Sequence, residues 1–511
     1  MNITLIRPPR VFKRYNKALK PAPPLGLAIL ASVLLNNHHK VNVIDGIVEN
    51  IDNLMPFDEE LFVNGLSENE LISRIGNDVD IIGFSCMFTV DWIYLSGLIN
   101  KVAEFFPHAK IIAGGEHITA LPDLCFEQCP SLLACVLGEG EETITELVDA
   151  IELNTNLQNV SGIIYRNTEG KLIKTAKRQR VRNIDSLPMP SWDLLPIKTY
   201  FDKKLSFGIG GNRTLPILAT RGCPYTCTFC SSPDMWGTRY FMRSVENVVD
   251  EIEYLINTYQ VDNIDLYDLT AIINARWIID FSKEIMKRKL NITWQLPSGT
   301  RSEAITPEVV KYMRLSGCTV ITYAPESGSN KVLQAIHKKV QLSKMLKSIS
   351  DSNKEGLFVK VNIIIGLPME THSDIFKTML FILKCSWAGA YDMGPNPFYP
   401  IPGTALFNEL ANAGKVNVRL RKYYVDLLDA DNFWKGNFYN DNIPQFMLRL
   451  YFVSYFIIFY LSNFIFKPNR FFETISNVWH QQPQTRGQHV LVRIIEQSGF
   501  YSNRRIKESL S

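Results

Sequence analysis

The chain has 511 residues, 46% of them hydrophobic and 21% charged, with a net charge of +3 at pH 7. That is enough apolar material for about two to four domains, each with its own core, and there is no internal repeat or low-complexity tract. Lysines and arginines are dispersed, which leaves nucleic acid out of the expected partners, and nine cysteines, three of them in one short loop, fit a reducing compartment better than a disulfide framework.

A cytoplasmic location is therefore expected, and the first apolar run, Ile3 to Ile6, stops at Arg7-Pro8-Pro9, which does not read as a signal peptide. Further runs follow at Val41 to Ile44, Ile81 to Ser85, Lys110 to Ala113 and Ala134 to Leu137, separated by amphipathic stretches such as Leu25 to Leu35 and Trp92 to Phe106. This alternation predicts a doubly wound parallel sheet over residues 1–152. Ligands of such sheets bind beyond the carboxyl ends of the strands, and the unusual residues sit there: Ser85, then Gly114-Gly115-Glu116-His117, then Gly138-Glu139-Gly140-Glu141. Glycine at such positions lets the backbone approach a ligand. His117 suits either cofactor polar groups or a helix cap. Cys86, Cys125, Cys129 and Cys135 read as buried thiols.

Residues 153–205 read as a hairpin, Val160 to Tyr165 with Lys171 to Lys174, followed by a proline-spaced strap from Leu187 to Pro196. Strand and helix patterns resume at Leu215, with strands at Ile264 to Tyr267, Ile292 to Gln295, Val320 to Ala324, Val359 to Ile365 and Ala388 to Met393. Six such units over residues 206–410 predict a partial barrel with its chemistry at the strands' carboxyl ends. Asp268, Arg301, Glu326-Ser327-Gly328-Ser329 and Gly366-Leu367-Pro368-Met369-Glu370-Thr371 stand at those ends.

After the first of these strands comes Cys223-Pro224-Tyr225-Thr226-Cys227-Thr228-Phe229-Cys230. A structural zinc site closes with four ligands, and no histidine or fourth cysteine lies near this triplet. Three thiolates on an iron-sulfur cube leave one iron open to an exogenous ligand. The spacing, with an aromatic before the last cysteine, resembles the signature of the radical S-adenosylmethionine (SAM) enzymes. By that resemblance Cys223, Cys227 and Cys230 ligate a 4Fe-4S cluster, Phe229 belongs to the SAM site, Glu326, Ser327, Gly328 and Gly366 line it, and Asp268 faces either the methionine amino group or substrate. The glycine motifs of residues 1–152 resemble the cobalamin-binding domain that precedes this core in one large subfamily, which implies cobalamin held by Ser85, Gly114, Gly115, His117, Gly138, Glu139 and Gly140. The DxHxxG motif of methionine-synthase-like domains is absent, so its histidine ligand to cobalt is not expected.

Residues 411–511 read as helical. Leu450 to Phe466 carries no charge and is rich in Tyr and Phe. Its seventeen residues would span about 25 Å, short of the ~30 Å hydrocarbon layer. A buried cap or an interfacial helix therefore fits better than a span, with Lys467, Arg470, Arg486 and Arg493 suited to an anionic membrane surface. A lipidic or otherwise apolar small-molecule substrate then becomes reasonable. The resemblance implies a deoxyadenosyl radical taking hydrogen from an unactivated carbon, methyl transfer from methylcobalamin, and an external low-potential electron donor. In layout the chain resembles the anaerobic magnesium-protoporphyrin monomethyl ester cyclases and hopanoid methylases, so oxidation or ring closure without methyl transfer stands as the alternative. An iron-sulfur redox sensor is the reading from another class.

Overall fold

In the computed structural model of the chain, which describes residues 1–13, 20–270, 272–429 and 436–497, the apolar runs become the strands of two main sheets. The first contains β1 (Asn2–Arg7), β2 (Lys40–Asp45), β3 (Ile81–Ser85), β4 (Lys110–Gly114), β5 (Leu132–Val136), β6 (Ile163–Arg166) and β7 (Leu172–Lys174), in the order β7-β6-β5-β4-β3-β1-β2. β1 to β5 pair in parallel, and the predicted hairpin, β6 with β7, is not separate but extends the same sheet antiparallel. The register sets Ser85 beside Gly114 and Gly114 beside Val136, so the glycine-bearing turns share one edge.

A small antiparallel sheet of Arg10–Lys13, Leu54–Pro56 and Leu61–Asn64 was not foreseen. Its strands are short and their alternation is broken by Pro56, so periodicity carries little signal.

The second sheet takes its strands in sequence order: β8 (Thr214–Ile217), β9 (Asn263–Leu266), β10 (Thr293–Thr300), β11 (Cys318–Glu326), β12 (Phe358–Ile365) and β13 (Asp392–Pro397). This is the partial barrel. β10 is longer than the predicted run, extending through Pro297, Ser298 and Gly299 to Thr300. β12 alternates half-buried with buried residues, Phe358, Lys360, Asn362 and Ile364 being the half-buried set, as expected for a strand with two unlike faces.

Two compact units result. One holds Met1–Phe207, Asn212–Ile264 and, of the described residues, 399–429; the other holds Gly208–Gly211, Asp265–Phe398 and 436–497. The Cys223 to Cys230 loop is grouped with the first unit.

The apolar C-terminal stretch lies in a longer helix than predicted, Gln445–Phe466, of 22 residues, starting directly after Pro444. At ~1.5 Å per residue it is about 33 Å long, so length no longer counts against a span. Its inner face is pinned, because Tyr460 donates to Asp392 at 2.6 Å and Asn463 to the Ala390 carbonyl at 2.7 Å.

Candidate active site

The cysteine loop is shaped by Gly222. Its φ is +89°, and a Cβ there would lie 2.2 Å from the Arg239 carbonyl and 2.5 Å from Arg180 Nη1, so only glycine fits. Cys223, Cys227 and Cys230 are half-buried, whereas the other six cysteines are buried, and none forms a disulfide. The Cys230 amide donates to the Cys227 carbonyl at 3.1 Å, tightening the loop. Phe229, which precedes Cys230 in sequence, is half-buried. Thr228 Oγ1, inside the triplet, is buried without a hydrogen-bond partner, a donor left for an acceptor that the protein does not supply. The donor set fits an iron-sulfur cluster held by three thiolates.

The loop is clamped from both sides by the glycine motifs. Glu116, of Gly114-Gly115-Glu116-His117, accepts from the Ser231 hydroxyl, one residue beyond Cys230, and burial raises its pKa. Arg221 Nη2 is 2.7 Å from Glu141 Oε1, and both side chains are buried. Arg221 also lies 3.7 Å from Glu139 and over the Trp236 ring. Glu139 is committed to the protein too: Arg180 Nη2 donates to it at 2.8 Å and the Val181 amide at 2.9 Å. Its carboxylate thus serves the cysteine loop's surroundings. Gly140 caps helix Glu141–Glu152.

At the edge of the first sheet, Ser85, Gly114, Gly115 and Gly138 are all half-buried. Gly115 has φ +114° and a Cβ there would strike the Cys86 carbonyl at 2.5 Å; Gly138 has φ +71°. Thr119 ties the two turns, accepting from the Gly138 amide at 3.0 Å and donating to the Gly115 carbonyl at 2.9 Å. Met87 and Phe88, next along the same edge, are exposed apolar side chains. His117 is buried, lies 4.9 Å from the Trp92 ring, and approaches Thr89 Oγ1 through Nδ1 at 3.2 Å. Burial lowers its pKa to about 3, so it is neutral at physiological pH, and its Nε2 has no hydrogen-bond partner. Glycine-lined backbone, uncovered apolar side chains and an orphaned imidazole nitrogen fit a large, flat, polar-edged cofactor.

In the second unit, Thr300 Oγ1 and Ser302 Oγ are buried without partners at the carboxyl end of β10, and Thr322 Oγ1 is likewise buried in β11. Orphaned hydroxyls such as those of Thr300 and Ser302 at a strand's end fit a ligand with several acceptors and donors, such as a nucleoside with an amino-acid tail. Asp268 is buried after β9. Glu326, ending β11, adopts φ +67°, and its Oε1 is 2.9 Å from Lys338 Nζ. Ser327 is buried beside Thr378 at 3.2 Å, and the Gly328 amide donates to the same Thr378 hydroxyl at 3.0 Å. A Cβ on Gly328 would strike Phe381 at 2.6 Å. Gly366 packs its backbone on Phe438 and, with Leu367, donates its amide to Glu370 Oε2 at 2.7 and 2.9 Å.

Sequence reasoning missed the supports. Asn440 donates to the carbonyls of Leu367 and Glu370 at 2.6 and 3.0 Å, and Asn442 to that of Pro368 at 3.1 Å. Arg486 sits against Gly394 and reaches Asn396 Oδ1 at 3.1 Å and the Pro395 carbonyl at 3.2 Å. These partners lie some seventy to ninety residues from what they hold, beyond any local pattern.

The sequence matches the model of the Radical SAM superfamily over residues 217–382 and that of the B12 binding domain over residues 15–148. It is 31% identical over 425 residues to an uncharacterized methyltransferase of Pyrococcus horikoshii, covering 83% of this chain and 86% of that protein. It is 28% identical to the cytidylyl-2-hydroxyethylphosphonate methyltransferase of Streptomyces wedmorensis, over 68% of this chain and 69% of that one. The solved structure of the radical S-adenosylmethionine methyltransferase TsrM from Kitasatospora setae superposes with a TM-score of 0.63 at 17% identity, covering 81% and 76% of the two chains.

Proposed function

The chain belongs to the cobalamin-dependent radical SAM enzymes and uses a 4Fe-4S cluster, SAM and cobalamin; from that premise we propose that it methylates an unactivated carbon of a small-molecule substrate. When bound, the three groups supply a 5'-deoxyadenosyl radical for hydrogen abstraction and a methyl group for transfer.

This chain's residues would divide the work as follows. Cys223, Cys227 and Cys230 ligate the cluster, with Thr228 as a hydroxyl donor toward it. Phe229, Asp268, Glu326, Ser327, Gly328 and Gly366 line the SAM site, where Thr300 and Ser302 offer free hydroxyls. Ser85, Gly114, Gly115, Gly138 and Gly140 present backbone and a hydroxyl to cobalamin, and neutral His117 offers an uncharged ring nitrogen. Glu139 acts at one remove, by holding Arg180 and neighbouring Arg221. Residues 1–152, 153–205, 206–410 and 411–511 then serve as cobalamin domain, linker, SAM core and C-terminal region, the last of these running beyond the described residues. Electrons come from an external low-potential donor.

The observation that carries this reading is the clamp, in which Glu116 holds Ser231 and Glu141 holds Arg221. It joins the glycine motifs to the cysteine loop within one compact unit, as an enzyme needing both cofactors requires. The relatives named above as methyltransferases favour methyl transfer over ring closure. The reconstituted enzyme, given candidate small molecules, a low-potential reductant and methyl-deuterated SAM, should yield 5'-deoxyadenosine and a product carrying the deuterated methyl. 5'-Deoxyadenosine with a product that gains no label would replace this reading by oxidation or cyclisation.

A further inference from the structure

Helices His372–Ala388 and Gln445–Phe466 pack in parallel, as the contacts His372 with Tyr451 and Trp387 with Phe466 fix the same offset at both ends. On the longer helix the buried residues are Leu448, Tyr451, Phe452, Tyr455, Phe459, Ser462 and Asn463. At about 100° per residue, Phe446, Leu450, Ile457, Leu461 and Ile465 fall on the opposite side, and all are exposed, Ile465 to 73%. Phe376, Leu380 and Trp387 form a matching stripe on the shorter helix, with Trp387 70% exposed. The two stripes run side by side over about 17 Å, from the eleven residues between Phe376 and Trp387. The following helices, Asn469–Trp479 and Arg486–Gln497, share the small core of Val478 and Val492 and expose Phe472, Ile475, Trp479, Leu491 and Ile494. Exposed apolar surface on this scale marks an interaction site.

Charge selects the occupant. Exposed Lys377, Lys384 and Lys467 flank the paired helices, and the one acid on them, Asp374, is buried. Of the exposed acids of this region among the described residues, Glu473 on the next helix is engaged by the Tyr391 hydroxyl, Asp441 precedes the longer helix, and Glu496 lies near the end of the last one. Aromatic and aliphatic tips inside a cationic border match a bilayer interface with anionic headgroups. A span is excluded by the hydrogen bonds from Tyr460 and Asn463, which hold the inner face against Asp392 and Ala390. We propose that this face, led by Ile457, Leu461 and Ile465, seats the enzyme on an anionic membrane surface with helix Gln445–Phe466 lying in the interface plane. The inference does not depend on the reaction or its substrate.

The test is co-sedimentation of the full-length reconstituted enzyme with phosphatidylcholine vesicles, with and without about 30% phosphatidylglycerol, in parallel with gel filtration across a range of protein concentrations. The Ile457→Asp, Leu461→Asp double variant is compared, its folding checked by cobalamin content and melting temperature. The proposal expects wild type to bind the anionic vesicles at least about tenfold better than the neutral ones, weakening at high salt, and the variant to lose most of that binding while keeping its cobalamin. Absence of binding to anionic vesicles would overturn it, as would equal binding by the variant. So would a concentration-dependent dimer broken by the same substitutions, which would assign the face to a second copy of the chain. If that variant loses cobalamin, Ile465→Asp, near the end of the helix, replaces it with the same outcomes.

Discussion

Glu370 shows most clearly what burial does to one residue. Desolvation raises its pKa to about 8, against the opposing pull of the Gly366 and Leu367 amides, and Oε1 has no hydrogen-bond partner. With the folded pKa above the unfolded value of 4.5, the folded state binds the extra proton. Stability is then fullest below about 4.5 and falls as pH rises toward about 8, levelling off above it. A Glu370→Gln variant keeps an acceptor for both amides and has no proton to lose. Between about pH 5 and 8 its melting temperature should decline less than that of wild type, by several degrees, a difference on the order of a few kcal/mol; parallel curves would refute the assignment. The triplet of Cys223, Cys227 and Cys230 stands out in the sequence by its spacing, and its part as a cluster's ligands rests on the resemblance. Glu139 and Glu326 were legible as residues at strand ends but not in what they hold, because Arg180, Arg221 and Lys338 are 41, 82 and 12 positions away.

Two loops are elements whose shape rests on distant partners. The Gly366 to Glu370 turn is held by Asn440 through the carbonyls of Leu367 and Glu370. Asn440→Ala leaves two carbonyls without their donor, and we expect SAM binding by calorimetry to weaken about tenfold while iron content stays constant. Loss of iron together with SAM affinity would instead mean general unfolding. The cysteine loop depends on the buried pair of Arg221 and Glu141. Glu141→Gln removes the nearer of the two carboxylates beside the buried Arg221 guanidinium and leaves Glu139 at 3.7 Å, at a cost of about 1–3 kcal/mol, so iron per chain after reconstitution should fall below wild type, measurable by iron assay and the cluster's visible absorbance. The main strands of both sheets fall on the apolar runs. The length of β10 did not follow from them, since its Pro297 and Gly299 read locally as breakers, and neither did helix Gln445–Phe466, whose first turns carry Arg449 and fall outside the uncharged run.

At the scale of the whole molecule, the units do not follow the order in which the motifs occur along the chain. The cysteine loop lies between β8 and β9, inside the match to the Radical SAM superfamily, yet its supports come from the B12-binding match and the linker. Glu116, Glu139 and Glu141 belong to the former and Arg180 to the latter. Returning chain supports the same loop, where the Leu406 amide donates to the Thr228 carbonyl at 3.0 Å and Gly403 packs against Asp234. A protein beginning at residue 206 would keep all three cysteines of the loop and lose the carboxylates that hold Arg221 and Ser231. Freed of Glu141 and Glu139, the Arg221 guanidinium would need water that its buried seat does not provide, and Gly222 would lose the Arg180 side chain now packed against it. We therefore expect residues 206–511 to retain less than about one iron per chain after reconstitution conditions that fill the full-length protein. Adding residues 1–205 in trans should restore iron only if the two pieces associate. Full iron retention by the shortened protein would show that the triplet shapes its own cluster site and that the clamp serves cobalamin placement alone.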